Sequence, residues 1–158
     1  MSYLLKNEIQ NIYVKSESVS SQLLSTTYQT LNGSSVIYTP HPQAKNVIYE
    51  YTFGYSWYPD AKTILQISIQ QETSGTYSSL GNEWRRIAPS FSESATGAVT
   101  CNMFWVLDPW TGPKGIRLRS RSYSAAHEAT AHITRHYHQS IVSKEFFPVL
   151  KVYSVIGD

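Results

Sequence analysis

From Lys45 onward, apolar and polar residues alternate with a period of two, a pattern that fits strands burying one face and leaves little room for helices. In residues 47–55 every odd position is apolar or aromatic (Val47, Tyr49, Tyr51, Phe53, Tyr55), with Glu50, Thr52 and Gly54 between them. Leu65, Ile67 and Ile69 alternate in the same way with Gln66, Ser68 and Gln70, ahead of a turn-rich stretch at 72–79. Residues 99–107 repeat the pattern with Val99, Cys101, Met103, Trp105 and Leu107. Phe104 and Val106 make the other face apolar too, so this strand is expected to be covered on both sides. Asp108-Pro109-Trp110-Thr111-Gly112-Pro113 then forces a turn. Residues 116–123, 129–138 and 149–156 read as the remaining strands.

Upstream, residues 23–31 and 35–38 read as short strands joined by the tight-turn dipeptide Asn32-Gly33. Residues 1–22 are polar, and Ile9, Ile12 and Val14 fit neither the helical nor the strand period, so this stretch is expected to be an arm or adaptor. Residues 23–158 then form one domain, as the length of the chain allows. Seven or eight short strands without helices predict an all-β, antiparallel two-sheet sandwich or barrel. Cys101 is the only cysteine, which excludes an internal disulfide, disfavours immunoglobulin-type packing and rules out a multi-cysteine zinc site.

Charge and apolar runs narrow the partners. A net charge of +2, from 13 basic and 11 acidic residues, does not by itself make a phosphate-binding surface, so nucleic acid is not an expected partner. No apolar run spans a bilayer and no secretory signal opens the chain, so no membrane association is expected. The 12 Tyr, 5 Phe and 4 Trp suit half-buried strands and surfaces that contact partners or sugars.

Read in order, Tyr38-Thr39-Pro40-His41-Pro42, Val47-Ile48-Tyr49-Glu50-Tyr51, Trp110-Thr111-Gly112 through Ile116-Arg117-Leu118-Arg119, and Pro148-Val149-Leu150 resemble a family of virion proteins. These are the jelly-roll domains, similar to the C1q and tumour-necrosis-factor fold, of marine phages and other aquatic viruses. The resemblance spans roughly residues 23–156. It implies a jelly roll of about eight strands that assembles as a homotrimer and serves as a fibre head, spike or capsid-surface knob. It carries over no catalytic residue.

Several clusters carry chemistry. His132, His136 and His138 share strand parity, and His136 and His138 could bring two imidazoles to one metal in a cupin-like enzyme. No later histidine completes the set, and Glu145 comes too late for cupin spacing, so the histidines are read as lining a polar face or a subunit contact, with no metal and no cofactor. There, protonation in mild acid would loosen the assembly.

Arg117, Arg119 and Arg121 form a basic strip that in a phosphate-binding reading would grip nucleic acid or an acidic polysaccharide, but the balanced net charge favours pairing with carboxylates of a neighbouring strand or subunit. Tyr49 and Tyr51 join the expected subunit contact. Trp57, Tyr58, Trp84 and Trp110 fall in or beside turns, where rings stack on sugars or partners or else cap the core; capping is favoured for Trp110. No paired carboxylates, nucleophile elbow or phosphate loop are evident, and Cys101 reads as a small core residue.

The expected function is therefore that of a non-enzymatic virion structural protein on the particle surface, a homotrimer that decorates the capsid or forms a short spike. It would attach to capsid or tail proteins through the N-terminal arm. The alternative is a fibre head that recognises host-surface glycans, and a cupin-like metal enzyme is the third reading.

Overall fold

The structure is a computed structural model that describes residues 8–57, 64–87, 97–123, 129–134 and 144–157. Its strands are β1 (Glu8–Ser16), β2 (Gln22–Leu24), β3 (Gln29–Thr30), β4 (Val36–Tyr38), β5 (Asn46–Trp57), β6 (Leu65–Thr73) and β7 (Thr76–Ile87). They continue with β8 (Gly97–Leu107), β9 (Lys114–Ser122), β10 (Ala129–Ala131), β11 (Ile133–Thr134), β12 (Lys144–Glu145) and β13 (Val149–Ile156). Among the described residues there is no helix.

The antiparallel pairs are nested. β1 pairs with β13, β4 with β9, β5 with β8 and β6 with β7, so the chain folds back on itself like a long hairpin wrapped around a core. The wrapping distributes the strands over two sheets. One runs β1-β13-β5 with β8 on the far side of β5, and the other runs β9-β6-β7 with β3 and β4 on the outer side of β9. Nested pairing across two facing sheets is the jelly roll. β10 continues the first sheet beyond β13, pairing with both β5 and β2, and β11 with β12 makes a separate two-stranded ribbon.

Alternation explains what fills the space between the sheets. The odd positions of β5 (Val47, Tyr49, Tyr51, Phe53, Tyr55) and of β8 (Cys101, Met103, Trp105, Leu107) face Leu65, Ile67, Ile69, Ile116 and Leu118 of the second sheet. Fully burying a side chain of this kind contributes about 1.5–3 kcal/mol, so β5 alone carries a large share of the stabilisation. Tyr49 meets Trp105 edge to face at 6.0 Å, and Tyr51 stacks on Phe53 at 5.6 Å.

Four expectations are corrected. Residues 8–16 are not an arm: they form β1, an edge strand paired along β13, while residues 1–7 lie outside the described residues. The stretch at 72–79 is not mostly turn. Ser74 and Gly75, both at positive φ, make a two-residue hairpin turn, and β7 begins at Thr76. Asn32-Gly33 does form a turn, with Gly33 at φ 75, but β3 and β4 both pair with β9 rather than with each other. The expected strand over 129–138 breaks at His132, whose φ of 63 ends β10, and residues 135–143 lie outside the described residues.

Candidate functional site

Two sheet faces turned away from the core, and one loop region, carry the chemistry of this chain. On the first sheet the outward positions of β8 are Asn102, Phe104 and Val106, and those of β5 are Ile48, Glu50 and Thr52. Ile48 stands opposite Val106, Glu50 opposite Phe104, and Thr52 opposite Asn102, which it reaches with a hydrogen bond of 3.2 Å. β13 adds Lys151, Tyr153 and Val155, and β1 adds Ile9 and Val14.

Phe104 is 54% exposed and Val106 55%, so the outer face of this strand is about half exposed rather than covered as expected. Ile9 and Val14 are exposed as well. A polar centre interrupts the apolar surface where the Tyr153 hydroxyl donates to Glu50 Oε1 at 2.8 Å. Burial first, then the adjoining carboxylate, pushes the Tyr153 phenol up to about 12, so Tyr153 remains a neutral donor throughout the physiological range.

The second sheet presents the arginines. β9 places Arg121 opposite Gln66, Arg119 opposite Ser68 and Arg117 opposite Gln70. Each Nε donates straight across the ladder: Arg117 to Gln70 Oε1 at 2.9 Å, Arg119 to Ser68 Oγ at 2.8 Å, Arg121 to Gln66 Oε1 at 2.7 Å. Aromatic rings hold the guanidinium planes in place. Arg117 lies 3.8 Å over the Tyr77 ring, and Arg119 and Arg121 lie 4.4 and 4.7 Å over Tyr28.

This layer buries Gln66, Ser68 and Gln70, which explains why β6 is covered on both faces although only one of them is apolar. Among the described residues of the neighbouring strands, neutral amides, hydroxyls and rings stand where a carboxylate partner was expected; the ion pair there is Lys15 with Glu17 at 2.6 Å, on β1 of the other sheet. Arginine tolerates this because its fork donates to neutral acceptors while its flat face stacks.

The loop region is built around Trp110. Its indole N–H donates to the Tyr38 carbonyl at 3.3 Å and its ring meets Tyr38 edge to face at 6.1 Å, so it packs half-buried against the core. The Tyr38 hydroxyl in turn meets Ser154 Oγ at 2.9 Å, and the His41 N–H reaches the same Oγ at 2.9 Å, anchoring the 39–44 loop. Two depressions flank Trp110. One, of about 500 Å³, has Asp108 and Lys114 in its wall, and the other, of about 340 Å³, is lined by Pro40, His41, Pro42 and Thr111.

The other site expectations fare differently. Tyr49 and Tyr51 are not subunit contacts: both are fully buried between the sheets because odd positions of β5 point inward. Their hydroxyls donate to the Ser34 and Asn32 carbonyls, both at 2.5 Å, and burial raises both phenol pKa values. His132 stands at positive φ between β10 and β11, out of the strand alternation, and is fully buried against Phe53 at 6.1 Å. His136, His138 and Tyr58 lie outside the described residues. Trp57 closes β5 opposite Gly97 and Ala129, and Trp84 sits within β7 opposite Ser68, so neither lies in a loop at the tip of the sandwich. Among the described residues no cluster of histidine, cysteine or carboxylate side chains could hold a metal.

Sequence reasoning missed Tyr28 and Tyr77, the rings beneath the arginines. Nothing in a linear reading links them to β9, because both come from strands or turns far along the chain.

No family model matches the chain, and no curated protein does. Among solved structures it is similar to one described as Eiger TNF from S. frugiperda, at 9% identity, with 87% of this chain and 93% of that chain covered and a TM-score of 0.37.

Proposed function

We propose that the chain is a self-assembling structural protein of a virus particle, a homotrimeric knob on the virion surface that decorates the capsid or forms a short spike. The observation that supports assembly is the exposure of Val106, Ile9, Val14 and part of Phe104 on one outer face of the first sheet, beside the half-buried Ile48. Exposed apolar side chains gathered on one sheet face around a polar centre support an interaction site. Copies that join head to tail, each setting this face against a different patch of the next, close into a ring when the rotation between them closes.

The resemblance of the Tyr38–Pro42, Val47–Tyr51 and Trp110–Arg119 segments to jelly-roll virion proteins supports threefold closure and a place on the particle. Residues ahead of Glu8 would reach capsid or tail proteins, since β1 itself is committed to the sheet. No step of catalysis is part of this reading. The test is to purify the particles of the source virus and locate the chain by labelled antibody. Surface labelling at threefold-related positions is the expected result, and its presence only in infected-cell extract, never on particles, would overturn the reading.

A second reading is favoured by the two depressions beside Trp110: a fibre head that grips a host-surface sugar between an indole wall and the polar groups of His41, Asp108 and Lys114. Free protein would then adhere to host cells and block infection, and Trp110→Ala would abolish both effects.

A further inference from the structure

We infer that the outer face of the second sheet is a binding site for an acidic polysaccharide, a linear chain bearing sulfate or carboxylate groups, held by Arg117, Arg119 and Arg121. The three residues alternate along one strand and so repeat about every 6.6–6.8 Å on one face. A guanidinium carries five N–H donors. Arg117 and Arg121 each spend one on the neighbouring strand, and Arg119 spends two, its second reaching Ser79 Oγ at 2.8 Å. The remaining donors are left for a ligand.

The fork is also set in advance. With Nε tied to β6 and the plane seated on Tyr28 or Tyr77, the arginines present their outer nitrogens in fixed positions, which lowers the ordering cost of capturing an anion. Among the described residues no carboxylate forms an ion pair with them. Glu72, on the same face, lies with the Tyr77 hydroxyl over Gly115, at the end of the strip.

Polysaccharide is favoured over single-stranded nucleic acid by the rings themselves. Base recognition without sequence preference needs open aromatic faces to stack on. Here Tyr28 and Tyr77 each have a face occupied by a guanidinium. The site lies on the opposite side of the sandwich from the apolar face of the first sheet, so it stays open when copies join there, and the inference stands whether or not they do.

The test measures binding of the full chain to fluorescein-labelled dextran sulfate, to neutral dextran of the same length and to a thymidine oligonucleotide, across about 50–200 mM salt. The expected result is binding to dextran sulfate alone or foremost, with log affinity falling against log salt at a slope of about 2–3 for three released counterions. Arg117→Gln, Arg119→Gln and Arg121→Gln should each weaken it several-fold and together abolish it, while Lys151→Gln on the opposite face leaves it unchanged. Thermal unfolding checks that each variant is folded, and the three single variants carry the test if the triple variant is not. Absence of binding by the native chain, equal binding by all three single variants, or tighter binding to the oligonucleotide than to dextran sulfate would each overturn the inference.

Discussion

Tyr51 donates its hydroxyl proton to the backbone carbonyl of Asn32 across 2.5 Å, tying the middle of β5 to the turn at Gly33. The turn has no slack: a side chain on Gly33 would sit 3.2 Å from that hydroxyl and 3.1 Å from Pro148, in a backbone conformation that already favours glycine. Tyr51→Phe removes the donor and leaves the carbonyl without its partner, at an expected cost of about 1–3 kcal/mol. Denaturant unfolding followed by circular dichroism should show a lower midpoint with an unchanged slope.

Much of this core was legible as alternation. β5, β6, β9 and β13 each keep one parity from end to end, so their inner faces could be named residue by residue. β1 could not, because a register shift between Gln10 and Tyr13 puts Ile9 on the outer face and Tyr13 against the core, and this scrambles any single period. β7 opens with Thr76, Ser78 and Ser79 exposed at a sheet edge, so it offers no apolar face to recognise. The arginine parity was visible, but its partners come from other strands. The apolar outer face of β8 was misread as covered, since a sequence shows that Phe104 and Val106 are apolar without showing what lies over them.

His132 should make stability fall in mild acid. Its burial holds the imidazole down to about 4, against about 6.5 for a free histidine, so the unfolded chain takes up a proton that the folded one refuses. Stability from this group is complete above about pH 6.5 and is lost as pH falls toward 4, by something on the order of 3 kcal/mol. His132→Asn tolerates the left-handed backbone and does not titrate, so the difference in unfolding free energy between native and variant should shrink over that window. A difference that stays constant with pH would contradict this assignment.

Cys101 should behave as an inert core thiol. It faces inward on β8, opposite Phe53, and burial pushes its thiol up to about 11, so almost no thiolate exists near neutrality. A disulfide-exchange reagent at pH 8 should label it only as fast as the protein unfolds, and immediately in denaturant. Rapid labelling of the folded chain would contradict its placement.

Gly115 should be intolerant of a side chain. An added Cβ would fall on the Tyr77 hydroxyl and 2.6 Å from Glu72 Oε2, so Gly115→Ala must push Tyr77 off its seat and with it the ring beneath Arg117. The cost falls on the positions of the Tyr77 and Glu72 side chains, which must shift to make room. Thermal unfolding should register the loss, and binding to dextran sulfate should weaken in parallel.

The open face of the first sheet is the premise on which assembly rests, and its most direct test is the mass of the native particle in solution. Sedimentation equilibrium should give three times the 17.9 kDa chain mass for the native protein, and the single-chain mass for Phe104→Lys, which sets a charge on the exposed apolar face of β8. A native protein that sediments as one 17.9 kDa chain, or a Phe104→Lys variant that still forms the trimer, would contradict it.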